Sequence, residues 1–252
     1  MGEETQLLKK RFCELARRAD EHGYYTFTDF LGLAEQSAFD EVKLRLKRDS
    51  YTAFGGCEGA ERVMIRFGNP DEIGYEQDFP IACILIRPRA EKFAERLTHR
   101  DFLGSLMSLG IERDKLGDII IREGQAYLFS DAEIASYIAD SLNRVRNTDV
   151  GCTLCDALPK GELYRTEEKR IQLSSERIDA VVAKAFNLSR DDAQALFKRG
   201  LVFVEGRLCE SLSYTPKSGE RITVRTYGRL IYRGAQGLTR KGKLNVTVEL
   251  YV

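Results

Sequence analysis

A row of cationic and polar side chains in the last third of the chain is suited to bind a charged ligand. Arg190, Gln194 and Lys198 are spaced four residues apart, so a helix places them along one side, and Arg199 follows directly. Ser189 is predicted to cap this helix. Guanidinium and ammonium groups in such a row suit the phosphate backbone of a nucleic acid. For the row taken alone, the alternative is a solvated helix face.

Motifs that could carry catalysis or hold a metal are incomplete. Cys152 and Cys155 form a C-x-x-C pair, but zinc needs about four ligands, so two ordinary thiols are favoured over a metal or redox pair. His99-Arg100-Asp101 occurs in kinase catalytic loops, yet the glycine-rich loop and the Asp-Phe-Gly motif of kinases are absent from the sequence. We predict no catalytic residue, no metal site and no cofactor. His99 and Arg100 are instead predicted to form a second RNA contact, apart from the row that contains Arg190.

A glycine-rich stretch invites comparison with phosphate-binding loops. Gly55, Gly56 and Gly59 lie close together, but the sequence contains neither G-x-x-x-x-G-K-[ST] nor G-x-G-x-x-G. A glycine turn that leads into a strand from Val63 to Phe67 is therefore the favoured interpretation.

The charge of the chain is distributed unevenly along its 252 residues. Lys plus Arg and Asp plus Glu both number 39, but residues 174–252 contain 14 basic and 8 acidic residues, a net charge of +6. Positive charge is thus concentrated where the cationic row lies, as expected for an RNA-facing module. The sequence has no run of eighteen apolar residues and no secretory h-region, and its six cysteines are scattered. We expect a reduced cytoplasmic protein that neither crosses nor binds a membrane.

Short motifs around the row follow one another in a fixed order. A first helix, with apolar residues at i, i+3, i+4 and i+7 from Ile178, is predicted to be capped by Ser175 and to end at Asn187. The motifs are Arg177-Ile178-Asp179, Ser189 to Ala193, Lys198-Arg199-Gly200, Val202 to Gly206, and Gly219 to Ile222. Their order and spacing resemble the S4-type RNA-binding domain first described in a small-subunit ribosomal protein. Glu205 departs from that family, which often has Asn before the glycine.

The resemblance implies that the two helices and the basic tail hold RNA through its phosphates, with Gln194 adding a polar contact. The predicted RNA-binding residues are Arg177, Ser189, Arg190, Gln194, Lys198, Arg199, Arg207, Arg229, Arg240, Lys241 and Lys243.

The elements before this segment indicate further domains. A strand from Ile81, a helix that ends at Gly110, two strands around Glu123-Gly124, a helix capped by Asp131, and a last strand near Val150 or around Gln172 follow in the order β-α-β-β-α-β. We therefore predict an α+β multi-domain protein. An N-terminal α/β module spans residues 1–76, a ferredoxin/RRM-like βαββαβ middle domain spans 77–168, and a C-terminal S4-type (αL) RNA-binding domain with a basic β tail spans 174–252.

Three further stretches carry a second resemblance. Phe54 to Arg62, Leu97 to Ile121, and the tail from Gly228 to Lys243 are similar to the YlmH family of bacterial proteins. This resemblance implies a ribosome-associated, RNA-binding protein of translation quality control that acts on stalled large subunits holding peptidyl-tRNA. The implied partners are rRNA, tRNA and the large subunit, and no DNA. The alternative is an rRNA-modifying enzyme, a pseudouridine synthase or methyltransferase, that uses the C-terminal domain as a targeting arm; its catalytic motifs are not visible in residues 1–173.

Overall fold

The computed structural model describes residues 2–47, 50–90, 95–159, 163–240 and 242–251. The chain is an α+β multi-domain protein and divides into two compact units, Met1–Leu163 and Tyr164–Val252. The finer division of the first unit at residue 76 stays a prediction. Among the described residues, no helix combines the length and the apolar character needed to cross a bilayer.

The first unit begins with two helices on a small antiparallel sheet. Its elements are α1 (Gly2–His22), β1 (Thr26–Phe27), α2 (Leu33–Lys43), β2 (Tyr51–Phe54), β3 (Met64–Phe67) and α3 (Pro70–Ile73), and the strand order is β1-β3-β2. Phe12 of α1 meets Phe39 of α2 edge to face with 5.3 Å between ring centroids, and Phe67 of β3 lies under Phe39. These buried rings pack both helices on the sheet.

A five-stranded sheet follows within the same unit. Its elements are β4 (Ile81–Pro88), α4 (His99–Ser108), a 3-10 turn (Arg113–Lys115), β5 (Leu116–Arg122), β6 (Gln125–Asp131), α5 (Ala132–Ser141), β7 (Arg144–Val145) and β8 (Thr148–Leu154). The strand order is β5-β6-β4-β8-β7, and β4 is antiparallel to both of its neighbours. Apolar residues four apart on α4, Phe102 and Leu106, are buried with Ile138 of α5 against the sheet.

Two local predictions for this sheet have clear outcomes. Asp131 caps α5 as predicted, because its carboxylate accepts a hydrogen bond from the Glu133 amide at 3.0 Å. Of the two candidates for the last strand, the segment near Val150 pairs with β4. The segment around Gln172 lies instead in the second unit.

The glycine-rich stretch is a structural turn that leads into β3, as predicted. Gly56 has a φ of +94° and lies against the ring of Phe129, so a side chain there would overlap that ring. The next residues are tied to the five-stranded sheet, since Asp118 accepts a hydrogen bond from the Arg62 amide at 3.2 Å and the Arg62 guanidinium donates to the carbonyl of Leu116 at 2.8 Å. The glycines thus permit close packing within the first unit.

The second unit combines two short helices with a six-stranded antiparallel sheet. Its elements are β9 (Thr166–Leu173), α6 (Ile178–Ala185), α7 (Arg190–Lys198), β10 (Val202–Val204), β11 (Arg207–Leu208), β12 (Arg221–Val224), β13 (Gly228–Leu238) and β14 (Leu244–Tyr251). The strand order is β11-β10-β12-β13-β14-β9. The predicted inner faces of α6 and α7 are buried in one core with Val246 and Val248 of β14.

The ends of α6 and α7 test the predicted capping residues. Ser189 caps α7 as predicted, since its hydroxyl accepts a hydrogen bond from the Asp192 amide at 3.0 Å. The prediction that Ser175 caps α6 is wrong. The N-cap is Arg177, and the first amide of the helix, that of Ile178, donates to the carbonyl of Tyr214 at 2.8 Å. A loop distant in sequence therefore replaces the local cap.

Candidate nucleic-acid interface

The predicted cationic row lies along one side of α7. Arg190, Lys198 and Arg199 are exposed and Gln194 is half-buried, whereas the opposite face of the helix is buried in the core. Gly200, with a φ of +65°, ends the helix directly after Arg199. Because the apolar face of this short, capped helix packs in the core, its row of polar side chains is held toward the solvent.

A buried carboxylate connects this row to α6. Asp179 is fully buried, and its oxygens accept hydrogen bonds from the guanidinium of Arg177 at 3.0 and 3.1 Å and from the side-chain amide of Gln194 at 3.5 Å. The guanidinium of Arg190 lies 3.6 Å from the same carboxylate. One acidic group thus orients three of the predicted RNA-binding side chains.

The electrostatics of Asp179 favour its ionised form. Burial by itself would raise the pKa of this carboxyl, but the hydrogen bonds and charge of Arg177, with Gln194 and Arg190, outweigh burial and lower the pKa below its ordinary value. Arg177 and Arg190 keep 39% and 60% of their side chains exposed. Both guanidinium groups therefore still present N–H donors to solvent while the carboxylate holds them.

Asp179 was not among the predicted site residues. The Arg-Ile-Asp motif placed it two residues after Arg177, but only the packing of α6 against α7 brings Gln194 and Arg190 to it. The Arg-Ile-Asp motif was thus visible in the sequence, but the role of Asp179 depends on contacts between residues that are distant in sequence.

Ser189 acts in this region through the helix start. Its hydroxyl accepts from the Asp192 amide and also donates to the Asp192 carboxylate at 2.6 Å. Its hydrogen-bonding groups are thus engaged within the first turn of α7, where they fix the position of Arg190.

The predicted basic tail is divided between two places. Arg229 of β13 lies against two aromatic rings that meet edge to face, with its guanidinium carbon 4.3 Å from the ring centroid of Tyr164 and 4.4 Å from that of Tyr251. Arg240 and Lys243 are exposed on the connection from β13 to β14. Arg207 is exposed on β11, and Lys241 lies outside the described residues. The structure does not gather the whole predicted set into one group.

Lys243 nevertheless lies close to the helix pair. It lines a surface cleft of 330 Å³ together with Ser189 and Arg190. The connection from β13 to β14 therefore adds a cation to the charged surface of α6 and α7, and the RNA-binding role of the basic tail stays a prediction.

The predicted second RNA contact lies in the first unit. His99 and Arg100 open α4 and are exposed. Partial desolvation, followed by the nearby Arg113 cation, lowers the pKa of His99 below its ordinary value of 6.5, so the imidazole is neutral at pH 7.

The C-x-x-C residues have separate surroundings. The thiol of Cys152 donates to the carbonyl of Leu142 at 3.3 Å, and burial raises its pKa to about 11. The amide of Cys155 donates to the carbonyl of Cys83 on β4 at 2.9 Å. Within the described parts of the chain, no group of three His, Cys, Asp or Glu side chains is placed to hold a metal ion. Because its pKa is raised, the half-buried thiol of Cys152 is a weak nucleophile at neutral pH.

Comparison with known proteins places the chain among bacterial relatives. Residues 75–157 match the family described as "Putative RNA-binding domain in YlmH". The chain is 33% identical over 243 residues to ribosome-associated protein quality control protein P2 of Bacillus subtilis (strain 168). The aligned region covers 94% of this chain and 91% of the relative. It is also similar to a solved structure, cell division protein ylmH from Streptococcus pneumoniae, with a TM-score of 0.47, 22% identity, and coverage of 61% of this chain and 92% of the other.

Proposed function

This chain belongs to the YlmH family, and from that premise we propose that it is a non-catalytic RNA-binding factor that acts on the ribosome in translation quality control. The observation that carries the proposal is the cluster around Asp179, in which one buried carboxylate orients Arg177, Arg190 and Gln194 on a common surface. The name of the Bacillus subtilis relative, a ribosome-associated quality control protein, supports the same role.

The chemistry of this surface suits recognition of the RNA backbone. Guanidinium groups can donate two parallel hydrogen bonds to one phosphate, and such contacts fix position and orientation without reading sequence. The cluster remains cationic, because one carboxylate faces two arginines, and Lys198 and Arg199 extend the positive charge along α7. Folded RNA recognised by its shape and phosphates is the ligand class that follows.

We infer that the ribosomal ligand is the large subunit, through its rRNA and a bound peptidyl-tRNA, in the rescue of stalled ribosomes. This finer assignment rests on the family resemblance rather than on the geometry. We accordingly propose that the protein acts in the cytoplasm on ribosomes and has no DNA partner.

Sedimentation of tagged protein from lysate, at low and at moderate salt, tests the proposal. We expect comigration with large subunits that carry tRNA, and loss of comigration in the double variant Arg190→Glu/Lys198→Glu. The variant Lys10→Glu/Lys217→Glu is the matched control, since it reverses two exposed cations outside the Asp179 cluster. Wild-type protein that stays at the top of the gradient at both salts would remove the ribosome from the proposal.

The non-catalytic part of the proposal has its own test. Purified protein is incubated with rRNA, with and without a methyl donor, and the RNA is digested and analysed by mass spectrometry for pseudouridine and methylated nucleosides. We expect no conversion. A modified nucleoside that forms in proportion to added protein would favour the rRNA-modifying alternative instead.

A further inference from the structure

A cleft beside α6 is lined in part by basic side chains and by serine hydroxyls. Its volume is 330 Å³, and three of its lining residues are the cations Lys184, Arg190 and Lys243. Among the described residues that line it, none is acidic. Ligand sites in proteins begin at about 300 Å³, so the cleft is large enough for a group the size of one nucleotide.

The three cations come from separate elements. Lys184 lies on α6, Arg190 opens α7, and Lys243 lies between β13 and β14. Like charges around one concave space repel each other, and the guanidinium of Arg190 also faces a carboxylate, that of Asp179 at 3.6 Å. An anion in the cleft would offset the repulsion among all three cations, so the lining suits an anionic ligand.

The position of Lys243 is defined by its backbone. Its amide donates to the hydroxyl of Thr239 at 3.0 Å, and its carbonyl accepts from the Thr239 amide at 2.7 Å. Gly242, with a φ of +74°, permits the tight turn that precedes it. The turn thereby holds the base of this side chain at the cleft.

Hydroxyl groups complete the lining. Ser174 and Ser175 lie between β9 and α6 and line the cleft. Ser189 at the start of α7 also lines it, but its hydroxyl already donates to the Asp192 carboxylate. Serine hydroxyls and basic side chains together are the common donors to phosphate and sugar oxygens in nucleic-acid complexes. Ser175, which does not cap α6, lies at the cleft instead.

We propose that this cleft seats one phosphodiester group of RNA between Lys184, Lys243 and Arg190. The inference rests on the proposed RNA-binding function and extends it. Lys184 becomes an RNA-binding residue that sequence patterns did not indicate, and Arg190 joins the cleft to the row on α7. The RNA backbone then follows a path from α7 across α6 to the connection between β13 and β14.

Lysine footprinting on the full chain tests this path. The protein is acetylated with an N-hydroxysuccinimide ester, with and without a synthetic RNA stem-loop, and the modified lysines are quantified by mass spectrometry. We expect RNA to reduce the modification of Lys184 and Lys243 several-fold and to leave Lys217 unchanged. Protection of Lys198 without protection of Lys184 and Lys243 would overturn the cleft assignment and leave the proposed function intact.

A second arm separates RNA from a free anion. Inorganic phosphate at millimolar concentration replaces the stem-loop in the same footprint. Equal protection by phosphate alone would overturn the assignment to RNA. Absence of any RNA binding by the wild-type chain would overturn both this inference and the proposed function.

The salt dependence of affinity provides the matched comparison. The variant Lys184→Gln/Lys243→Gln should flatten the slope of log affinity against log salt by about 0.7–0.9 for each phosphate that is no longer neutralised. The variant Lys10→Gln/Lys217→Gln removes the same charge outside the cleft and should keep the wild-type slope. Equal slopes in the two variants would contradict a phosphate seat at the cleft.

Discussion

The fully buried carboxylate of Asp179 accepts two hydrogen bonds, at 3.0 and 3.1 Å, from the partly exposed guanidinium of Arg177. A buried charge is costly unless it is paired and hydrogen-bonded, and here the pairing partner lies only two residues away. The same carboxylate reaches Gln194 and Arg190 on the next helix. A pair that stabilises the start of α6 therefore also positions the proposed RNA-binding surface.

Replacing Asp179 by Asn should destabilise the second unit. The substitution preserves shape but removes charge-assisted hydrogen bonds, so we expect a decrease of about 1–3 kcal/mol in the free energy of unfolding. Hydrogen–deuterium exchange of α6 and α7, with urea unfolding followed by circular dichroism, measures it. The control is Asp191→Asn, which removes an exposed carboxylate in the first turn of α7 and should cost less than about 1 kcal/mol. Equal decreases in the two variants would show that Asp179 contributes no more to the free energy of unfolding than an exposed carboxylate does.

The contribution of Asp179 should depend on pH in a defined direction. Because the folded-state pKa is lowered, the stabilisation is fully present above the ordinary value of 3.8 and is lost as the pH falls through the folded-state value. The difference in unfolding free energy between wild type and Asp179→Asn should thus be constant from neutral pH to about pH 5 and shrink below pH 3.8. A difference that grows on acidification would contradict the assignment.

Sequence patterns predicted the elements of this region better than its connections. The burial of Ile178 and Val182 follows from helical periodicity, and the row on α7 follows from its four-residue spacing. The partners of Asp179 and the convergence of Lys184 with Lys243 depend on tertiary packing, which a local pattern does not encode. Contacts between elements, rather than the elements themselves, were therefore missed.

The two serines that were predicted as helix caps should respond differently to substitution. Ser189→Ala removes the acceptor for the Asp192 amide and should destabilise α7 by about 1 kcal/mol. Ser175→Ala should have little effect on stability, because the α6 amide of Ile178 is satisfied by the carbonyl of Tyr214. Hydrogen exchange of the first turn of each helix measures both. A larger effect on α6 from Ser175→Ala would contradict the observed cap.

The same comparison shows why a correct pattern can mislead. Serine before an apolar helical face is a sound signal for a cap, and it is right at Ser189. At Ser175 the signal competes with the carbonyl of Tyr214, which the fold brings from a loop distant in sequence. Local preference yields where a distant backbone group satisfies the same donor.

Glycine substitutions test whether the turn before β3 is structural. Gly56→Ala places a methyl group against the ring of Phe129 at a φ of +94°, and we expect destabilisation of the first unit by at least about 1–3 kcal/mol. Gly104→Ala is the control, since Gly104 faces open space on α4 and should gain about 0.5–1 kcal/mol. Thermal unfolding followed by circular dichroism separates the two. Tolerance of Ala at Gly56 would show that the turn does not need its close approach to the sheet.

Arg229 is predicted to bind RNA, yet its guanidinium also packs against the rings of Tyr164 and Tyr251, so the two roles need to be separated. Arg229→Ala should lower the unfolding free energy of the second unit by about 0.5–2 kcal/mol, because it removes the contacts of the cation with both rings. Arg229→Lys keeps the charge but not the planar stacking, and should recover only part of that stability. Hydrogen exchange of β14 measures how far the contacts of Arg229 with the two rings stabilise the sheet. The affinity for an RNA stem-loop measures binding. If Arg229 stabilises the sheet, exchange should be faster in both variants, and Arg229→Lys should retain the affinity for RNA. If exchange is unchanged and Arg229→Ala binds RNA more weakly, the residue serves RNA contact alone.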